Sequence, residues 1–360
     1  MAKQEPIRIL QCVSNMDRAG IETMLMNFYR NIDRNKVQFD FLCNKSKPGD
    51  YDEEIKSLGG KIYVSPGLSP FKWFKYQKFM KNLFKEHPEY KIIHCQNEAM
   101  GFPALYAAKK AGIPVRISHS HNTVTRFDFK WPIKILYKYL LRLVATDYVA
   151  CGIDAGKYLF GKEVKIIHNA IDVKKFQFNE RVRNKLRKKL KVENKFVIGH
   201  VGRFEPQKNH NFLIDMFYEY QKQDNDAILL LIGTGSLEEK IKDKVKKLGI
   251  EEKVVFTGNI SNVNEMYSAM DLFILPSFHE GLPVVGVEAQ TSGVTCIFSD
   301  NVTKEVKFND NVFYVSLSEK IEKWCSIINN NKNKNRVSNY KNSYDINYIK
   351  EDLINFYINR

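Results

Sequence analysis

Apolar residues along the chain gather in short β-branched runs, and between the runs they recur at the three- and four-residue spacing of helices. The first half holds "IRILQCVS", "FDFLCN", "KIYVSP", "IIHCQN", "VRISHS", "DYVACG" and "KIIHNA". The second half repeats the scheme with "FVIGHVGR", "AILLLIGTG", "KVVFTGN", "LFILPS", "VTCIFSD" and "NVFYVS". Strands that apolar, spaced by helices, predict parallel sheets covered on both faces. The predicted fold class is α/β, with two doubly wound Rossmann-like domains over residues 1–170 and 171–343. The boundary is placed where "NAIDVKKFQFNE" interrupts the alternation. Residues 344–360, with apolar positions at helical spacing in "INYIKEDLINFYINR", form a closing helix expected to pack near the domain junction. The run "NNNKNKNR" reads as a polar, mobile loop.

Composition bounds this picture without redirecting it. A chain of 360 residues, 44% of them apolar, fills two cores. It has no apolar run long enough to span a bilayer, and "MAKQEPIRILQCVSN" does not read as a signal peptide, so a cytoplasmic protein is expected. Six scattered cysteines with no C-x-x-C are expected to be structural thiols of a reducing compartment. Charge is more telling once located. Residues 1–170 carry 27 Lys/Arg against 16 Asp/Glu, a surplus of +11, whereas residues 171–360 carry 29 against 25. An anionic partner is therefore expected on the first half: nucleic acid, an acidic membrane or a phosphorylated substrate.

Parallel α/β domains bind ligands beyond the carboxyl ends of their strands. The unusual polar residues fall there: Gly20 after the first run, Asn97, His121 and Asn169 after later ones, and Arg203, Lys208 and the stretch from Ser277 to Glu288 in the second half. In "FHEGLPVVGVEAQ", Pro283 suits the beginning of a helix and Gly281 allows close backbone approach, so Gly281 and Leu282 lead into a helix start that can hold an anion. Glu280 precedes that start and Glu288 lies about a turn and a half inside. Ionised carboxylates accept hydrogen bonds from hydroxyl groups, although taken alone the pair also fits two ordinary helix acids. Arg203 and Lys208 are two cations on one loop, suited to a diphosphate. The G-x-G of "IGTG" is weak by itself, lacking the full dinucleotide spacing. "DND" at Asp224–Asp226 has the D-x-D form of a metal site, but it precedes a strand, at the edge opposite the ligand edge, so no metal is predicted.

Together "RAGIE", "HNAID", "GRFEPQKN", "LIGTG", "VVFTGN" and "PSFHEGLPVVGVEAQTSG" resemble the family 4 glycosyltransferases of the GT-B fold, over about residues 7 to 300 and in the style of exopolysaccharide and capsule enzymes. The resemblance implies two domains facing across a cleft, a nucleotide-sugar donor with a leaning to uridine, and transfer with retention and no metal cofactor. Carried over, Glu288 holds the ribose, Glu280 the sugar hydroxyls, Arg203 and Lys208 the diphosphate, and the Gly20 amide the phosphate or sugar. Ala19 stands where the family often has a second glycine, which restricts that loop slightly. The family's first-domain histidine has two candidates, His119 and His121, which share one strand face; His121 is favoured as nearer the carboxyl end, and His94 is expected to be a packed strand histidine.

"FKWFKYQKFMKNLFK" holds Lys72, Lys75, Lys78, Lys81 and Lys85 with no acid, and Trp73, Tyr76, Met80 and Leu83 form one helical stripe. With the similar segment 129–143 around Lys134 and Lys138, it suggests docking on an anionic membrane, which makes a lipid-linked acceptor the expected partner and the inner face of the cell membrane the expected location. Two ordinary surface helices are the plainer reading. A sugar-nucleotide epimerase or phosphorylase on the same scaffold and a basic nucleic-acid-binding protein are the alternative functions, the latter without any zinc, RRM or helix-turn-helix signature.

Overall fold

The computed structural model describes residues 5–124, 130–337, 339 and 342–360. The chain divides into two compact units, one of Met1–Ala170 with Ile346–Arg360 and one of Ile171–Asp345.

Among the described residues, the first unit carries seven strands: β1 Ile7–Val13, β2 Val37–Cys43, β3 Ile62–Val64, β4 Ile92–Cys95, β5 Val115–Ser120, β6 Asp147–Ala150 and β7 Lys165–Ile166. They lie in the order β3-β2-β1-β4-β5-β6-β7, every pair parallel. Side chains alternate between two cores, as the near-continuous apolar runs require. Ile9 and Val13 face one with helix Gly20–Asn31; Leu10 and Cys12 face the other with helices Trp73–Glu86 and Phe102–Lys110. The closing helix, Ile346–Ile358, is part of the first core: Ile346, Leu353, Ile354, Phe356 and Tyr357 are buried in it.

The second unit carries β8 Phe196–Val201, β9 Ala227–Ile232, β10 Val254–Phe256, β11 Leu272–Leu275, β12 Thr295–Ser299 and β13 Val312–Val315, in the order β10-β9-β8-β11-β12-β13 and again all parallel. The thirteen apolar runs of the sequence are these thirteen strands. All six cysteines are buried free thiols.

The asparagine-rich run is not the loose loop that its composition suggests. Its first three residues end helix Ile321–Asn331, and Arg336 is drawn into the unit, where its guanidinium donates to the carbonyls of Tyr267, Ser268 and Met270. Those carbonyls belong to the end of helix Val263–Ala269 and the residue after it, which a cation satisfies.

Candidate functional site

Strand order reverses between β1 and β4 in the first sheet and between β8 and β11 in the second, and a crevice opens beyond the strands at such a point.

In the first unit the β1 end leads into helix Gly20–Asn31 behind the extended Ala19. Gly20 is exposed, and a side chain added there would meet nothing within 4 Å among the described residues. The opening amides of that helix have no acceptor one turn back. Beside it lies a cavity of about 460 Å³ lined by Ser14, Glu22, Lys45, Asn97, Glu98 and Lys134 among others.

Glu98, which belongs to none of the motifs above, has φ of 52° and clamps the segment after β5. Its carboxylate accepts from the His121 amide at 2.6 Å, Asn122 Nδ2 at 3.1 Å and Ser120 Oγ at 3.3 Å. Burial pushes its carboxyl up to about 7 against the pull of these bonds. Its position does carry a signal: Glu98 follows the strand next to β1 at the switch point.

His119 and His121 share a strand face, as expected, and their rings stack with centroids 4.1 Å apart. His94 is buried and joins the stack, 5.1 Å from His119. Burial lowers all three, His94 and His121 to about 3, so the rings are neutral near pH 7.

In the second unit, the loop after β8 and the loop after β11 are laced together. Gln207 donates to the His279 carbonyl at 2.9 Å, and the Phe278 amide donates to the Gln207 carbonyl at 2.9 Å. Lys208 Nζ donates to Glu280 Oε1 at 2.6 Å, both side chains mostly buried. The diphosphate cation and the sugar-binding acid expected from the sequence thus form one ion pair. Gly281 and Leu282 are buried behind it and lead through Pro283 into helix Val284–Thr291. Glu288, inside that helix, accepts from the Tyr267 hydroxyl at 2.6 Å. Burial raises its carboxyl to about 7, opposed by Tyr267 and by the charge of Lys208. Tyr267 carries no sequence signal, since its link to Glu288 spans 21 residues and two elements.

Arg203 is exposed on the same loop as Lys208, with no acidic partner among the described residues. The glycines of "IGTG" serve packing. A Cβ at Gly235 would lie 2.6 Å from the backbone of Phe204, so the bare position lets the Arg203–Lys208 loop approach closely. Asp224 and Asp226 pair with Lys332 at 2.5 Å and Lys195 at 2.7 Å, at the amino end of β9.

On helix Trp73–Glu86, Tyr76, Met80 and Leu83 are buried and Trp73 packs beside them, while Lys75, Lys78, Lys81 and Lys85 are exposed, as is Lys72 just before it. Phe71 is 100% and Phe74 87% exposed. In the second basic segment Leu136, Tyr139 and Leu143 are exposed; Phe129 lies outside the described residues. Trp73, Tyr76, Ile133 and Tyr137 line one small crevice, so the two segments are neighbours. No helix among the described residues is long and apolar enough to cross a membrane.

A family model described as Glycosyltransferase Family 4 matches residues 18–175, and one described as Glycosyl transferases group 1 matches residues 182–342. EpsF of Bacillus subtilis (strain 168), named as a glycosyltransferase, is 37% identical over 333 residues, 89% of this chain and 86% of its own. The UDP-Gal:alpha-D-GlcNAc-diphosphoundecaprenol alpha-1,3-galactosyltransferase of Escherichia coli is 25% identical over 303 residues, 78% of this chain and 76% of its own. Among solved structures, HepE of Anabaena in complex with UDP-glucose superposes with a TM-score of 0.77 at 19% identity, covering 98% of each chain, which shows a shared fold.

Proposed function

The chain belongs to the family 4 glycosyltransferases, and on that premise we propose that it moves a sugar with retention from a UDP-sugar to a lipid-linked or growing polysaccharide acceptor of the cell surface. The observation that carries the donor half is the laced pair of loops at the β8–β11 switch point, with Lys208, Glu280 and Glu288 around one helix start. Cations and free amides suit a diphosphate, and two acids suit two sets of hydroxyls. Uridine is supported by the UDP donor in the name of the Escherichia coli relative and by UDP-glucose in HepE.

The acceptor half is assigned to the 460 Å³ cavity of the first unit, where acids and amides meet sugar hydroxyls and lysines meet an anionic carrier. The carrier in the Escherichia coli relative's name, diphosphoundecaprenol, is of that kind. The exposed phenylalanines and lysines around helix Trp73–Glu86 then rest on an anionic membrane.

In the reaction, the bond between anomeric carbon and diphosphate breaks, and the acceptor hydroxyl attacks the same face of the sugar and gives its proton to an oxygen of the departing diphosphate. The growing charge on the leaving diphosphate is met by Arg203, Lys208 and the helix start, without a metal. Alanine at Arg203 or Lys208 is expected to lower turnover by about 10²- to 10³-fold, more than it weakens donor binding. Thermal-shift titration with UDP and UDP-sugars, followed by product analysis on a lipid-diphosphate acceptor, tests the whole reading. Binding at 100 times Kd should stabilise the protein by about 2.7 kcal/mol. An inverted product, loss of activity with a chelator that added metal restores, or preference for a purine nucleotide would each overturn the corresponding part. Release of an altered free sugar without acceptor would favour the epimerase.

A further inference from the structure

Glu98 holds a backbone conformation, φ of 52°, that glycine adopts more readily, so its side chain and not its backbone accounts for its place. Its two carboxyl oxygens keep different company. Oε1 faces N–H donors, the His121 amide at 2.6 Å and Asn122 Nδ2 at 3.1 Å. Oε2 lies 3.3 Å from the Ser120 hydroxyl oxygen. Ser120 has a single proton to give, and its Oγ lies nearer the Ala155 carbonyl, at 2.8 Å. A carbonyl oxygen only accepts, so that contact takes the proton. A hydroxyl donating to a carboxylate would stand at about 2.5 to 2.7 Å, much closer than Ser120 does. Ser120 therefore turns a lone pair toward Oε2, and the contact becomes favourable when Oε2 carries a proton. Burial acts in the same sense and raises the carboxyl to about 7.

The same residue lines the cavity of about 460 Å³, together with Glu22, Lys45, Lys130 and Lys134, all of the first unit. The groups that face Glu98 can be named element by element. From β5 and the segment after it come His119 and His121, which burial keeps neutral near pH 7. Lys134 comes from helix Trp131–Leu140 and Lys130 from the residue before it. Helix Phe102–Lys110 carries its charges, Lys109 and Lys110, exposed at its far end. An ionised Glu98 would add a second carboxylate to this lining and oppose the lysines, whereas a neutral acid leaves their attraction for an anion intact.

We infer that Glu98 is a specificity-determining residue of the acceptor cavity: it holds a proton in the free protein and keeps it when a lipid diphosphate enters, so that binding of the anionic acceptor is coupled to one proton. The ligand rests on the acceptor reading of the cavity; the proton on Glu98 does not. The coupled part of the affinity is fully present below about pH 7 and is lost as pH rises above it. Glu98→Gln mimics the neutral acid, with an oxygen for the two N–H donors and an N–H for Ser120 Oγ, but cannot ionise.

The test is carbon-13 spectroscopy of the full chain with carboxyl-labelled glutamate, followed by calorimetry. The signal that Glu98→Gln removes is expected to titrate near pH 7. Ser120→Ala should move its midpoint down, because the acid proton loses its acceptor. A midpoint near the ordinary 4.5, or one that rises in Ser120→Ala, would overturn the protonated state. Calorimetry then uses farnesyl diphosphate, with UDP at saturation to occupy the donor site. Between pH 6 and 8 wild-type affinity should fall about tenfold more than that of Glu98→Gln, since the probe's own titration enters both proteins alike. Parallel curves would overturn the coupling and leave the acceptor reading standing. No binding at any pH would overturn the acceptor reading and the coupling with it, while the spectra still decide the proton.

Discussion

Replacing Glu288 by alanine is expected to weaken UDP and UDP-sugar alike, because the charge-assisted bonds it would give the ribose are each worth about 1.5 to 3 kcal/mol. Glu280→Ala should leave UDP binding nearly intact and impair transfer, since its carboxylate is held outside the helix by Lys208. Calorimetry with bare UDP decides between them, and equal losses would remove the division of labour. Glu288 also sets a pH dependence. Its folded pKa of about 7 lies above the ordinary 4.5, so between those values the folded state binds more protons than the unfolded one. Its own contribution to stability without ligand is therefore fully present below about 4.5 and is lost as pH rises through about 7. Glu98 acts in the same sense. Nucleotide binding has the opposite trend, because the ionised carboxylate is the better acceptor. Between pH 6 and 8, UDP affinity should rise more steeply in the wild type than in Glu288→Gln; parallel curves would contradict this. At this scale residue types and spacing are legible in the sequence, but partners are not. Lys208 and Glu280 stand 72 positions apart and His94 and Tyr357 stand 263 apart, and only the closed sheets bring them together.

Helix Trp73–Glu86 shows how far periodicity reaches among elements. Its apolar stripe is legible, and it is the core face. Hydropathy spacing does not distinguish an apolar residue that faces the core from one just off the stripe, and Phe71 and Phe74 fall outside it, in solvent beside the lysines. The prediction is that Lys75→Glu with Lys78→Glu weakens binding to phosphatidylserine vesicles and lowers transfer to a lipid-linked acceptor, with UDP affinity unchanged. Each lysine near such a surface contributes about 1 kcal/mol. Phe71→Ser with Phe74→Ser should also weaken vesicle binding but keep its salt dependence, since charge attraction fades over about 8 Å at physiological ionic strength whereas insertion does not. Wild-type protein that ignores such vesicles in low-salt flotation would leave the helix a solvated face. The thirteen strands are legible because parallel sheets demand long apolar runs. The asparagine-rich segment misleads for a related reason: composition cannot foresee that Arg336 is recruited by the carbonyls at a helix end.

The whole molecule is one continuous unit set inside a discontinuous one. Residues 171–345 are expected to fold alone and to bind UDP, because their core draws on no other part of the chain. Ending the chain at Asp345 should instead damage the first unit, by removing Leu353, Ile354, Phe356 and Tyr357 from its core and leaving Gln11 and His94 short of a partner. Circular dichroism melts of the two truncated proteins check both statements. At the two ends of the inner unit, Ile171 forms a parallel bridge with Asp345, and its amide donates to the Tyr344 carbonyl at 2.9 Å. Neighbouring strands lie about 4.8 Å apart, so the point where the chain enters this unit and the point where it leaves are one strand width from each other. The unit is therefore a cassette. It can be cut out and sealed head to tail into a ring with a glycine-serine joint of about four residues, and Ala170 can be spliced to Ile346 in the remainder so that the closing helix returns to its own core without the segment that interrupted it.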